Sequence, residues 1–144
     1  MRALLENRIL LAAAAAWFTA QIIKLAVELV RARRLDLRYL VSPGGMPSAH
    51  SALVTSLATA VGRSEGLSSP LFAICAVMAA IVMYDAAGVR QAVSIQARIM
   101  NRMLDEIFTQ HAFSEQRLRE LLGHTPLEVA AGLLLGAAIG IAAT

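Results

Sequence analysis

Four stretches of this chain are too apolar for water, and the longest has the length a bilayer demands. The first, "ILLAAAAAWFTAQIIKLAVELV", runs from Ile9 to Val30. As a helix it would reach about 33 Å, enough to cross the hydrocarbon of a membrane. It continues well past Ala20, and Phe18 is too large for a small-residue cleavage pattern, so it reads as a retained span rather than a signal peptide. The second run, Ser48 to Val61, is short and reads as a tilted or recessed helix, or one that extends back through Met46. The third, Ser69 to Val89, has Ser69 as a cap and Pro70 in its first turn. The fourth, Thr125 to Ala143, pairs a Thr125 cap with Pro126 and sets Glu128 near its positive end. Within it Gly132, Gly136 and Gly140 recur every four residues, a smooth face for close packing in lipid. Hydrophobic residues make up 58% of the 144 and charged residues only 16%, which leaves too little polar surface for an ordinary soluble domain. The expected fold is all-α: one membrane-embedded domain over residues 1–144, an integral helical bundle of about four spans plus an amphipathic helix.

That amphipathic helix lies in "VRQAVSIQARIMNRMLDEIF". Ala92, Val93, Ile99, Met100, Met103, Leu104, Ile107 and Phe108 follow helical spacing, while Arg98, Arg102, Asp105 and Glu106 take the other face. It suits a membrane surface or a partner helix. A net charge of +3 raises nucleic acid as a partner. The basic residues flank apolar helices with few aromatics among them, so nucleic acid is not expected. The lone cysteine, Cys75, can form no internal disulfide and reads as a small core residue. With four spans both termini share a side. That side holds three arginines, Arg2, Arg8 and Arg63; the other holds nine, in the loops around Arg31–Arg38 and Arg90–Arg119. Positive charge in short loops marks the cytoplasm, so those loops are expected there, in the cell membrane, with the termini outside.

Polar groups within apolar helices are unfavourable unless they have a task. Here they collect at one membrane face. Lys24 is near the basic end of the first run, Ser48 and His50 open the second, Asp85 and Arg90 close the third, and His124 and Glu128 open the fourth. Taken singly, Lys24 could snorkel, Asp85 could simply pair with Arg90 or Lys24, and Arg90 could be an anchor. Taken together they make a site. His124 and Glu128 are four residues apart on one helix face, so the carboxylate can hold one imidazole nitrogen and leave the other basic. His50 follows "GGMPSA" at a helix start, where exposed N–H groups favour an anion and glycines such as Gly45 let the backbone approach it. Adding Lys24 and Arg90 suits a phosphate better than a carbonyl. Two histidines and two carboxylates are also a metal-binding set. The added cations argue against a metal-first site; no cofactor is expected, and an assisting divalent ion stays open.

"PSAH" resembles the Pro-Ser-Gly-His motif of the type 2 phosphatidic acid phosphatase and vanadium haloperoxidase superfamily. "HTPLE" resembles its closing His-x-x-x-Asp, with Glu128 in place of aspartate. With "GGMPSAHSA", "MYDAAGVR" and "LLGHTPLEV", the whole chain looks like the small divergent bacterial and plastid branch. The resemblance implies that His124 is the nucleophile that becomes phosphohistidine, that Glu128 orients it, and that His50 protonates the leaving alcohol. It implies that Ser48 and the N–H groups near Gly45 cradle phosphate and that Lys24 is the first-motif lysine. Arg31, seven residues on, matches an arginine normally followed by proline; here Ala32 follows. The third-motif arginine falls at Leu118, between Arg117 and Arg119. Arg90 is expected to supply the missing cation, Arg119 after it, and Asp85 to support the site. The chain lacks one or two of the usual six helices, which a homodimer would complete.

The expected activity is hydrolysis of a lipid phosphomonoester: phosphatidylglycerophosphate, phosphatidic acid or a polyprenyl phosphate. The alternative is a membrane protein that binds or moves a phosphorylated lipid without turnover. His124 with Glu128 separates them, because binding alone needs no oriented nucleophile.

Overall fold

The computed structural model describes residues 5–33, 45–107 and 124–144. Five helices account for most of them: α1 (Arg8–Ala32), α2 (Ala49–Glu65), α3 (Pro70–Ala87), α4 (Val89–Ile107) and α5 (Pro126–Ala143). Each cap is local chemistry. Asn7 Oδ1 accepts the Leu10 N–H at 3.0 Å and starts α1, and Arg33 ends it in the left-handed region at φ 51°, its N–H bonded to Leu29 O. Ser69 Oγ accepts the Phe72 N–H at 3.1 Å, with Pro70 in the first turn of α3, where its missing N–H has no partner to lose. Thr125 and Glu128 form a reciprocal capping box at α5. The second helix does not reach back through Met46: Ser48 is extended and caps it at Ala49, and the helix gains a turn at its other end instead.

Among the described residues three helices are long and apolar enough to cross a membrane: α1 over Arg8–Val30, α3 and α5. The second run, α2, has 17 residues and is the innermost, in contact with α1, α3 and α5. Its register shows how far it reaches. Gly132 of α5 lies on Ser48 and Ser51, Gly136 on Ala52, and Gly140 on Ser56 and Thr59. So α2 and α5 run parallel over that length. At the far end of α2, Gly62 meets Phe72 at the start of α3. Thus α2 passes from one end of the bundle to the other. The starts of α2 and α5 and the ends of α1 and α3 share one end; residues near 7 and 144 share the opposite one.

The interior is built of small residues. Among the described residues, nothing larger than serine has under 2% of its surface exposed. Ala16, Ala20, Ala49 and Ala52 form one cluster, flanked by Trp17, Leu135 and Ile139; Val54, Ala58 and Ala79 form another, which Cys75 joins. Large apolar side chains point outward instead, among them Phe18, Ile22, Ile74, Ile81, Leu134 and Ile141. Hydrocarbon solvates leucine as well as a protein core does, so association in lipid depends on close backbone approach. A methyl group added at Gly132 or Gly136 would overlap the carbonyl oxygens of Ser48 and Ala52. The glycine repeat therefore sets the α2–α5 distance.

Candidate active site

Two backbone hydrogen bonds assemble the end of the bundle where four helix termini meet. The Ser48 N–H donates to Glu128 O at 2.9 Å, tying the start of α2 to the first turn of α5. The His124 N–H donates to Ala86 O at 3.2 Å, tying the residue before the α5 cap to the end of α3. The fourth element, α1, enters through Lys24, whose aliphatic stem lies under Gly45. Gly45 has φ +90°, and a Cβ there would sit 3.1 Å from Lys24 Cγ. Glycine is required twice over at this position, by its backbone angle and by the lysine beneath it.

His124 is 3% exposed, and its Nδ1 lies 3.2 Å from Glu128 Oε2. The same carboxylate oxygen accepts the Thr125 N–H at 3.0 Å, so the capping box that starts α5 also fixes the carboxylate that holds the ring. An ionised carboxylate only accepts, which assigns the proton to Nδ1 and leaves the Nε2 lone pair available. Burial pushes the His124 imidazole below its ordinary range; the Glu128 hydrogen bond and charge oppose the shift, and Lys24 and His50 reinforce it. Neutral imidazole is the nucleophilic form. The His50 ring centroid lies 6.3 Å from that of His124, with the planes tilted by 60°. That is too far for the rings to bond each other and close enough for one small anion to touch both. His50 is exposed, at the mouth, while Lys24 is buried, 5% exposed, within electrostatic reach of both Glu128 and His124.

Ser48 is fully buried. Its Oγ accepts from the Ser51 N–H at 3.3 Å and the Ser51 hydroxyl at 3.0 Å, which leaves its own proton as the remaining hydrogen-bonding function. Asp85 departs from expectation. It is exposed, and helical spacing sets it well away from the α3 strip of Ala79 and Ala86 that faces the bundle. Among the described residues it makes no ion pair with Lys24. A run of sequence cannot say which side of a helix end faces inward; here the small alanines claimed that side. The side chains of Arg31 and Arg90, and Arg119 altogether, lie outside the described residues. Two buried polar residues near the site had not been singled out. Ser51 braces Ser48, and Gln21, 8% exposed, lies one turn before Lys24. The signal for Gln21 was its i, i+3 spacing from Lys24 in an otherwise apolar helix. Among the described residues no three His, Cys, Asp or Glu side chains are grouped as metal ligands are.

Residues 5–139 match the model of the Divergent PAP2 family, PAP2 being the type 2 phosphatidic acid phosphatases. The chain belongs to this family. It is also 42% identical, over 144 aligned residues, to the Bacillus subtilis (strain 168) protein called Uncharacterized membrane protein YuiD. That alignment covers 92% of this chain and 91% of the relative. No solved structure matches. Membership in the divergent PAP2 family accords with the two segments that open α2 and α5, which contribute His50 and His124 to one end of the bundle.

Proposed function

We propose that this chain is a lipid phosphate phosphatase that works through a phosphohistidine at His124. The observation that carries the proposal is the buried His124 ring held by Glu128 through Nδ1, with Lys24 and His50 beside it. In the proposed cycle, His124 Nε2 attacks phosphorus as the bond to the lipid oxygen breaks. Protonated His50 gives its proton to that oxygen, and a lipid alcohol leaves. Lys24 and the first N–H groups of α2 stabilise the charge on the remaining phosphoryl oxygens. Water, deprotonated by the now neutral His50, then attacks the phosphohistidine and releases inorganic phosphate. Arg90 and Arg119 are the proposed further cations. The arginine asymmetry supports a cytoplasmic site in the cell membrane, which favours phosphatidylglycerophosphate or phosphatidic acid; a polyprenyl phosphate fits the opposite orientation.

The test is phosphate release from these lipid phosphates by the purified chain in detergent, with and without a chelator. Release that His124→Ala abolishes supports the mechanism; release unchanged in that variant removes it. One observation favours a second reading, binding without turnover: Leu118 stands where the superfamily carries an arginine. Saturable binding of a lipid phosphate with no release of phosphate would sustain that alternative.

A further inference from the structure

The α4 helix has three distinct sides. Val93, Ile99, Met100, Met103 and Leu104 are 43–56% exposed. At 100° per residue they fall within one arc of about 140°, which also carries the exposed Gln96, while exposed Ile95 lies outside it beside Arg102. Arg98 and Arg102 are exposed and centre on the opposite side, the face to which the sequence also assigns Asp105 and Glu106. Between these two faces runs a narrow strip, Ala97 and Asn101, that is buried. Among the described residues this helix touches protein along that edge and leaves an apolar face and a charged face uncovered. It is not among the helices able to span. Its neighbour fixes its depth. The lipid-facing side of α3 runs through Ile74, Val77 and Ile81 to Tyr84, which is 78% exposed. Tyrosine at the end of a span suits the headgroup boundary. Gly88 alone separates α3 from α4.

We propose that α4 lies in the interfacial plane of the membrane at the site end, with an anionic phospholipid leaflet as its partner. Its apolar arc enters the acyl boundary at the depth where the exposed side of α3 ends. Arg98 and Arg102 remain in the headgroup layer, where their charge complements anionic lipid. A lipid interface solvates each open face in its own layer, at the boundary that Tyr84 marks on α3. The inference deepens the proposed function and, in its last step, rests on it. Because the His124 N–H is bonded to Ala86 O, two residues before Gly88, the site shares the depth of α4. The phosphate it takes is then one carried by a lipid at headgroup level, not a free phosphate ester in water.

The experiment is depth labelling of the full chain in vesicles, with Cys75→Ala as background. Single cysteines replace Met100, Met103, Arg98 or Arg102 and carry an environment-sensitive dye. Vesicles are phosphatidylcholine with or without phosphatidylglycerol. Dyes at positions 100 and 103 should be quenched by bromine on the acyl chains and shielded from aqueous iodide; dyes at 98 and 102 should show the reverse. Adding phosphatidylglycerol should deepen position 103, and Arg98→Gln with Arg102→Gln should remove that response. Equal iodide access at all four positions would overturn the proposal. So would shielding of 100 and 103 from both quenchers with cross-linking between copies, since that places a second chain there. No response to phosphatidylglycerol would overturn the choice of an anionic leaflet. None of these readouts depends on turnover, so failure here is distinguishable from failure of the phosphatase assay.

Discussion

The proposed chemistry of this chain is concentrated in one ring, that of His124. Its neutrality at physiological pH comes from burial, reinforced by Lys24 and His50, against the opposing effect of Glu128. In the proposed cycle the neutral ring attacks, so protonation should end activity as pH falls, and the acid limb of kcat/KM should lie below the ordinary imidazole value of about 6.5. Glu128→Gln removes an influence that raises the His124 pKa, so that limb should move to lower pH while kcat drops. Lys24→Met removes one that lowers it, so the limb should move to higher pH. A pH–rate series on the three proteins checks both signs. Lys24→Met should also slow turnover by about two to three decades, the usual loss when a preorganised donor to developing charge is removed. A change under about threefold would make Lys24 an anchor. His124→Ala should abolish turnover with the protein still inserted, as judged by membrane fractionation and elution volume. No other histidine among the described residues has a carboxylate one turn away on its own helix.

At the level of elements, the parallel pair α2 and α5 holds the site together. Its spacing depends on the absence of side chains at Gly132, Gly136 and Gly140. Gly136→Ala should separate the two helices and destabilise the protein by about 1–3 kcal/mol, the range for overpacking a close contact. Thermal unfolding in detergent measures this, with Leu134→Ala, which faces lipid on the same helix, as the near-neutral comparison. Because Ser48 N–H bonds Glu128 O at the top of this pair, the same substitution should lower activity as well. The α5 cap shows why the coupling is tight: Glu128 Oε2 serves both the Thr125 N–H and His124 Nδ1.

For the whole molecule, the register of α2 against α5 puts residues near 7 and 144 at the end opposite the site. With the arginine asymmetry, a reporter fused after Thr144 should be external, and a cysteine in place of Met46, in the Cys75→Ala background, should be labelled only from the cytoplasm. Met46 is exposed at the site end, which makes it a usable probe. A cytoplasmic Thr144 with an externally labelled position 46 would invert the orientation and move the substrate toward outward-facing lipid phosphates.

Sequence alone determined what depends on neighbours along the chain. Caps at Ser69 and Thr125 were legible because a hydroxyl reaches an N–H three residues on whatever the tertiary context. The His124–Glu128 pair was legible because an i, i+4 spacing sets two side chains on one face, and α4 because its periodicity is strong. The glycine repeat announced a close helix contact, though not its partner. Tertiary structure decided what depends on rotation and depth. Only packing showed that the short second run is the innermost helix and runs parallel to α5, since periodicity does not name a neighbour. Only packing turned Asp85 outward, because the small residues Ala79 and Ala86 let α3 approach on their side. Only packing buried Lys24 under Gly45 and added Gln21 beside it, since a lysine near a helix end can snorkel or be enclosed, and the chain that encloses it comes from elsewhere in the sequence.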